Sequence, residues 1–375
     1  MKYFETVIIG GGPAGASAGI LLARRGEECC IIDKHSFPRE KTCGGLLSQK
    51  TLDILSELNL NLAPESFYLN KTNRIRIANR KKIIATFDCK NNFYLADRKI
   101  FDHLLINEYK NAGGIIFENE KAIDIDFREK TLLTDRQKIK YNYLICADGS
   151  KSLSDKLIKK KNFGITIEAD IPADFIQFDN HVIHLDFGLN NDGYGWIFPK
   201  NEFATVGFGC TQEKGKNYRV EFKKFLADCG VDKNVPVRMK GATLPFEYSD
   251  GKAVFPEANI LLVGDAAGMV DSLTGEGIYF ALKSGTLAAN AIAGKNDVLN
   301  TYQESCTHIF DIVNKSHKIA LTFYKYRKLF LVLAKNREKK LANFCDNELA
   351  YYKYGYNNYI SRIFHSLLPS RLPNS

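Results

Sequence analysis

The run Thr6-Val-Ile-Ile-Gly-Gly-Gly-Pro-Ala-Gly15 restricts what this chain can fold into more than any other stretch. A β-branched apolar segment enters glycines at 10, 12 and 15, and a helical pattern follows from Ala16 to Arg25, stopping at Gly26. A second apolar run, Cys29-Cys-Ile-Ile32, then delivers Asp33. Strand, tight turn, helix, strand and acid in that order give a G-x-G-x-x-G its meaning. Gly10 permits the turn, Gly12 lets backbone N–H groups approach a pyrophosphate, and Gly15 lets the helix lie close to the strand. The helix start, at Pro13 and Ala14, offers partial positive charge to phosphates. Asp33 stands where a ribose hydroxyl would be held. The stretch predicts a dinucleotide site without saying which dinucleotide.

With 375 residues the chain is too long for one small core and reads as two domains or one large elaborated one. Its 45% apolar and 25% charged residues are those of an ordinary soluble globular enzyme. Apolar strands recur at 4–9, 29–32, 143–147 and 260–263, with helices expected at 48–58, 98–112 and 278–293. Alternating segments at 74–77 and 83–87 suit a strand pair, and residues 163–237 read as short antiparallel strands with turns between them. The expected fold class is therefore α/β, α+β overall, with interleaved domains. A Rossmann-like nucleotide-binding domain takes 1–70, 96–160 and 251–298. An antiparallel-sheet substrate domain takes 71–95 and 161–250, and a helical region takes 299–375.

Asp148-Gly149 ends one buried strand and Gly264-Asp265 ends another. Singly, each is an acid capping a turn, but strand C-termini in a parallel sheet share the edge where ligands bind. Asp265 is then placed near a ribitol or ribose hydroxyl, and Gly275, Gly277 and Ile278 bring a helix N-terminus to the same pyrophosphate or ring. Together, Gly10-x-Gly12-x-x-Gly15 with Asp33, Asp148-Gly149 and Gly264-Asp265-Ala-Ala-Gly268 resemble the FAD-dependent oxidoreductases of the hydroxybenzoate-hydroxylase fold group. Arg98-x-x-Phe101-Asp102 resembles that group's helix motif, whose arginine lies near the flavin nucleotide. Lys41-x-Cys43-Gly44-Gly45, Tyr194-x-Trp196-x-Phe198-Pro199-Lys200 and Leu273-Thr-Gly-Glu-Gly-Ile278 resemble the geranylgeranyl reductase branch. The likeness spans roughly residues 4–290. One departure stands ahead of Thr274: the family's loop carries a proline where this chain reads Asp271-Ser272-Leu273.

The resemblance implies FAD, held by the residues above together with Lys34, Cys43, Gly44 and Gly45. It implies hydride transfer from reduced flavin to the C=C bonds of a polyprenyl chain on a lipid, quinone or diphosphate. Cys43 becomes the candidate catalytic residue, as a proton donor or a gate beside the ring. Tyr194, Trp196, Phe198 and Pro199 become a hydrocarbon pocket, although one ring, Phe198 first, can equally be plain core. No second G-x-G-x-x-G is present for a nicotinamide, so the sequence leaves the electron donor open between NAD(P)H and a ferredoxin. A flavin-dependent monooxygenase on the same scaffold is the alternative. Halogenases of the group show W-x-W-x-I-P, and the single tryptophan here argues against halogenation but not hydroxylation. A non-catalytic flavin-binding redox protein is the second alternative.

Nine scattered cysteines without a C-x-x-C pair read as reduced thiols. The first strand starts within a few residues of Met1, leaving no room for a signal or transit peptide, so a cytoplasmic protein is expected. Seven histidines show no metal-ligand spacing, and no metal is expected. The net charge of +9 is concentrated late: from residue 300 onward twelve Lys/Arg face five Asp/Glu. There, apolar and basic residues alternate, and the longest apolar run, Leu329–Ala334, is far short of the ~20 residues that span a bilayer. Such a region suits an anionic membrane surface at the inner face of the membrane, or a solvated helix packed on the body. No nucleic-acid motif accompanies the charge, so nucleic acid is not an expected partner.

Overall fold

A strand that is apolar at every position must be covered on both faces. Val7, Ile8 and Ile9 meet that requirement, being buried to 4% exposure or less. In the computed structural model the described residues are 1–60, 62, 64–156, 161–189, 192–211, 216–248 and 259–346. The chain runs β1 (Lys2–Ile9), α1 (Pro13–Arg24), β2 (Cys29–Ile32), β3 (Leu46–Leu47), α2 (Gln49–Glu57), β4 (Tyr68–Asn79), β5 (Lys82–Ala96), α3 (Arg98–Asn111), β6 (Ile115–Phe117), β7 (Ala122–Asp126), β8 (Thr131–Thr134) and β9 (Lys138–Cys146). It continues as β10 (Lys161–Pro172), β11 (Ile183–Asp186), β12 (Gly193–Pro199), β13 (Phe203–Thr211), α4 (Tyr218–Asp228), β14 (Lys240–Tyr248), β15 (Ile260–Leu262), α5 (Ile278–Gly294), α6 (Val298–Lys325), α7 (Arg327–Ala334) and α8 (Glu338–Asp346).

Two sheets organise these elements. In the first, of seven strands, β6, β2, β1, β9 and β15 lie side by side and parallel, and the β7–β8 hairpin pairs with the start of β9. The second has eight strands in the order β14-β10-β13-β12-β11-β4-β5-β3 and is antiparallel except where β11 meets β4. Helices α1 and α5 cross the first sheet in close contact, because Gly285 has no side chain: a Cβ there would lie 2.1 Å from the Ala14 carbonyl oxygen. Ser17 Oγ sits at the same crossing, 3.1 Å from the Leu282 carbonyl. Tyr302 donates to the Leu262 carbonyl at 2.6 Å and ties α6 to β15. The mixed α/β architecture expected from the sequence is thus present.

Two local differences have physical causes. The strand pair read at 74–77 and 83–87 is part of a much longer hairpin of 12 and 15 residues. Its register shifts at three places and it carries polar residues such as Asn91 and Asn92, so simple alternation marks only its middle. Within the stretch read as strands, Tyr218–Asp228 is a helix; Asn217 caps it by accepting from Val220 N–H at 3.3 Å, and Phe222, Phe225 and Leu226 seal one face of the second sheet. The late basic region is helical through Asp346. Its remainder, residues 347–375 with Lys353, Arg362 and Arg371, lies outside the described residues, as do 157–160 and 249–258 at the expected domain edges.

Candidate active site

The carboxyl ends of β1, β2, β9 and β15 open onto one cavity of about 910 Å³. That is at the upper end of the ~300–1,000 Å³ of small-molecule and cofactor sites. Gly10, with φ +99°, turns the chain over the end of β9 so tightly that a Cβ would come within 2.4 Å of the Ala147 oxygen. Gly12 faces the opposite situation: its Cβ direction is open, with only the Arg39 Nη2 atom 3.7 Å away. Gly12, Pro13 and Ala14 line the cavity at the start of α1. Asp33 also borders it, accepting from Gly11 N–H at 2.8 Å and His35 N–H at 2.9 Å, with Lys34 alongside.

Arg98 reaches the cavity from the first turn of α3 and is gripped by Asp102 through bonds of 2.8 and 2.9 Å. Burial opposes its charge, but Asp102 and the Cys43 sulfur outweigh that and keep the guanidinium firmly protonated. Arg39 lies 3.3 Å from the same Asp102 carboxylate. Asp148 Oδ2 accepts from Leu153 N–H at 2.8 Å, and Gly149 at φ +85° turns the chain away. Burial raises the Asp148 carboxyl above its ordinary range.

Asp265, Gly275, Gly277 and Ile278 form the facing wall, where α5 points its N-terminus inward. The loop before it keeps its shape without the family's proline, because Asp271 Oδ1 accepts from Leu273 N–H (2.8 Å), Thr274 N–H (2.9 Å) and Ser316 Oγ (2.6 Å). Tyr194, Trp196 and Phe198 stand on one face of β12, with successive ring centroids 6.0 and 5.8 Å apart, and all three border the cavity. Tyr194 donates to the Thr274 carbonyl and so joins this strand to the loop. The Cys43–Gly45 loop lies on the aromatic face: a Cβ on Gly44 would be 2.6 Å from the Phe198 ring, and one on Gly45 would be 2.2 Å from the Ala96 oxygen.

Three of the residues singled out by sequence do not reach the cavity. Gly15 is packed under the turn, where a Cβ would meet the Gly10 oxygen at 1.9 Å. Gly264 is enclosed between Ala14 and Ala281, and Pro199 ends β12 with its carbonyl accepting from Asn70. Glu168 went unnoticed in the sequence. It alternates with Ile167 and Ala169, which is the signature of a solvated strand face, yet that face turns into the cavity and Glu168 is only 5% exposed. Residues of α6 also line the cavity, among them Ala320, Leu321 and Tyr324. No motif marks them.

Several buried polar atoms at the cavity have no partner among the described residues: Asp148 Oδ1, Trp196 Nε1 and Ser272 Oγ. Buried polar atoms are normally satisfied, so these fit a ligand that supplies the missing bonds. With the open approach at Gly12 and the strand-end acids, the donor and acceptor set matches a dinucleotide lying across the sheet edge. The fold and site define a Rossmann-type dinucleotide-binding protein. The profile of the FAD-binding domain family matches residues 3–315. A digeranylgeranylglycerophospholipid reductase of Methanocaldococcus jannaschii is 30% identical over 350 residues, covering 87% of this chain and 86% of its own. The chain belongs to the geranylgeranyl reductase family of FAD-dependent oxidoreductases. The crystal structure of a geranylgeranyl bacteriochlorophyll reductase-like protein from Thermoplasma acidophilum superposes with a TM-score of 0.74 at 21% identity, over 98% of this chain and 96% of that one. A probable FAD-dependent monooxygenase from Pseudomonas aeruginosa shares the fold at a TM-score of 0.65 and 14% identity, over 87% and 98% of the two chains.

Gly10 and Gly12 should separate when substituted. Gly12→Val should weaken flavin binding about 100-fold, the equivalent of ~3 kcal/mol, and shift the flavin-free melting temperature by no more than about 2 °C. Gly10→Val forces a branched residue into φ > 0 and should destabilise the flavin-free protein itself by roughly 1–3 kcal/mol. Flavin titration and thermal melts check both, and unchanged flavin affinity in Gly12→Val would contradict the placement of the pyrophosphate.

Proposed function

We propose that the protein saturates C=C bonds of a polyprenyl chain carried on a lipid, a quinone or a diphosphate. The supporting observation is the aromatic face of Tyr194, Trp196 and Phe198, which meets the Cys43 loop on one side and runs on to Ala320 and Leu321 of α6. That wall is mainly aromatic and aliphatic, with few polar groups such as Glu168 and the Trp196 Nε1 atom set among the rings. The name of the relative from Methanocaldococcus jannaschii, a digeranylgeranylglycerophospholipid reductase, points to the same substrate class.

Bound FAD, once reduced by a nicotinamide nucleotide or a ferredoxin, supplies hydride. The chain's own residues supply binding and orientation. The Gly10–Ala14 turn and the α1 N-terminus would hold the pyrophosphate, with Asp33 and Lys34 toward the adenosine end and Arg98 between the pyrophosphate and the Cys43 loop. Asp148 and Asp265 take sugar-alcohol hydroxyls. Cys43, Gly44 and Gly45 on one side and Gly275–Ile278 on the other flank the ring end. Cys43 gates the approach of the alkene to that end.

We further place the cavity mouth at a membrane surface. Among the described residues no helix is long and apolar enough to cross a membrane. Leu321, Leu329 and Val332 are nevertheless 60%, 46% and 72% exposed on α6 and α7. Lys325, Lys328 and Lys335 are exposed with them, and Leu321 and Lys325 also border the cavity. An apolar patch ringed by lysines suits anionic headgroups, and a prenyl chain would pass from the bilayer directly to the flavin.

Two measurements test these readings. Anaerobic incubation of the reduced holoenzyme with a geranylgeranyl lipid should give products two hydrogens heavier per bond; a product carrying oxygen, formed only in air, would make the protein a monooxygenase instead. Co-sedimentation with anionic vesicles should fall at least about tenfold, or ~1.4 kcal/mol, in the pair Leu329→Asp with Val332→Asp, and should weaken with salt. Binding that ignores both changes would remove the membrane surface.

A further inference from the structure

Glu168 occupies the junction of the two sheets at the cavity wall. It lies on β10 opposite Gly207 of β13, where a Cβ on that glycine would meet both the Glu168 Cβ (2.8 Å) and the Trp196 ring (2.4 Å). The carboxyl therefore emerges beside the indole. Its Oε1 accepts from Cys43 N–H at 2.6 Å. Its Oε2 makes no hydrogen bond to the described residues, and the side chain borders the cavity. A carboxyl in that position can use one oxygen as an acceptor and keep a proton on the other.

We propose that Glu168 is the acid that protonates the alkene as it takes up hydride, an inference that rests on the prenyl reductase reading above. One alkene carbon receives hydride from the reduced flavin, which is thereby oxidised by two electrons. The other carbon takes the proton of Glu168 Oε2 as the π bond breaks. Two C–H bonds form, Glu168 is left as a carboxylate, and solvent returns its proton.

The surroundings keep a protonated form of the carboxyl populated near neutral pH. Burial pushes the Glu168 acid up to about 7, against Lys200 and the Cys43 N–H, which favour the carboxylate. Asp170, on the same strand, raises it further, and Lys240 of β14 lowers it. Those two face each other at 3.1 Å, with Glu40 3.7 Å beyond Lys240, so much of the Lys240 charge is already paired. Lys200 is itself buried, which lowers its pKa, while Asp170, Glu168, Cys43 and Asp97 raise it. Cys43 is placed differently: its sulfur accepts from Gly45 N–H at 3.4 Å and lies against the Arg98 guanidinium, an arrangement for receiving hydrogen bonds. Glu168, not Cys43, has an oxygen that no other described residue occupies and that can give a proton.

Protonation below about pH 7 and its loss above fix the sign of the pH dependence. The rate at which prenyl substrate oxidises the reduced holoenzyme, without oxygen, should be level below pH 7 and fall about tenfold per unit above it. Glu168→Gln keeps the acceptor for Cys43 N–H and should be roughly 100-fold slower with a flat profile, whereas Cys43→Ala should keep the fall. Glu168→Asp should restore a pH-dependent rate. Infrared titration of the holoenzyme without substrate should show a protonated-carboxyl band lost with a midpoint near pH 7, absent in Glu168→Gln. An unchanged rate and slope in Glu168→Gln, or no such band, would overturn the assignment of the acid. The band in place with no turnover of any prenyl chain would instead overturn the prenyl reading, and the proton's destination with it.

Discussion

The site depends first on how closely backbone can approach backbone at one edge of the parallel sheet. Gly10 passes the end of β9 where no side chain fits, and Gly285 lets α5 reach α1 at the same place. Because β1 pairs with β9 and β9 pairs with β15, the residues after each strand fall on one line. Asp148 and Asp265 are brought beside the glycine turn by that pairing, although 117 residues separate them. The N-terminus of α5 arrives there through the same contact. A Cβ at Gly10 or Gly285 would open the edge and spread the acids, so a cofactor-sized cavity exists only because these crossings are bare of side chains.

The second sheet is joined to that edge by three small contacts. Gly44 lies flat on the Phe198 ring, Gly45 passes the Ala96 carbonyl, and Cys43 N–H reaches across to Glu168. The aromatic face of β12 thus meets the Cys43–Gly45 loop within one cavity. Tyr194, bonded to the Thr274 carbonyl, closes the other side. In the proposed reading, nucleotide and substrate are held by different sheets, and the Cys43 loop joins the two through Gly44 on Phe198 and Cys43 N–H on Glu168.

Much of the first sheet was legible because its physics is local. A buried parallel strand needs an unbroken apolar run, and a tight turn into a helix needs glycine at fixed spacing; both are written in consecutive residues. Asp33, Asp148 and Asp265 were readable as strand-end acids for the same reason. Glu168 was not readable, since only the register of β10 against β13 and the Cys43 loop decides whether an alternating acid faces water or a cavity. Helix α4 was hidden by a neighbourhood of strands, and the α6 wall by the absence of any motif. The serine at 272 reads as a loss of proline in sequence; in the fold Asp271 holds the loop, and the Ser272 hydroxyl at the cavity has no partner among the described residues.

Reduction of prenyl chains on flavin is the claim that joins the glycine turn at one end of the cavity to the aromatic wall at the other. Its most direct test is mass spectrometry of the lipids and quinones of cells with and without the protein. Prenyl chains should be heavier by two hydrogens for each bond reduced when the protein is present, with the unsaturated forms accumulating in its absence. Identical chains in both, or chains differing by an added oxygen, would contradict it.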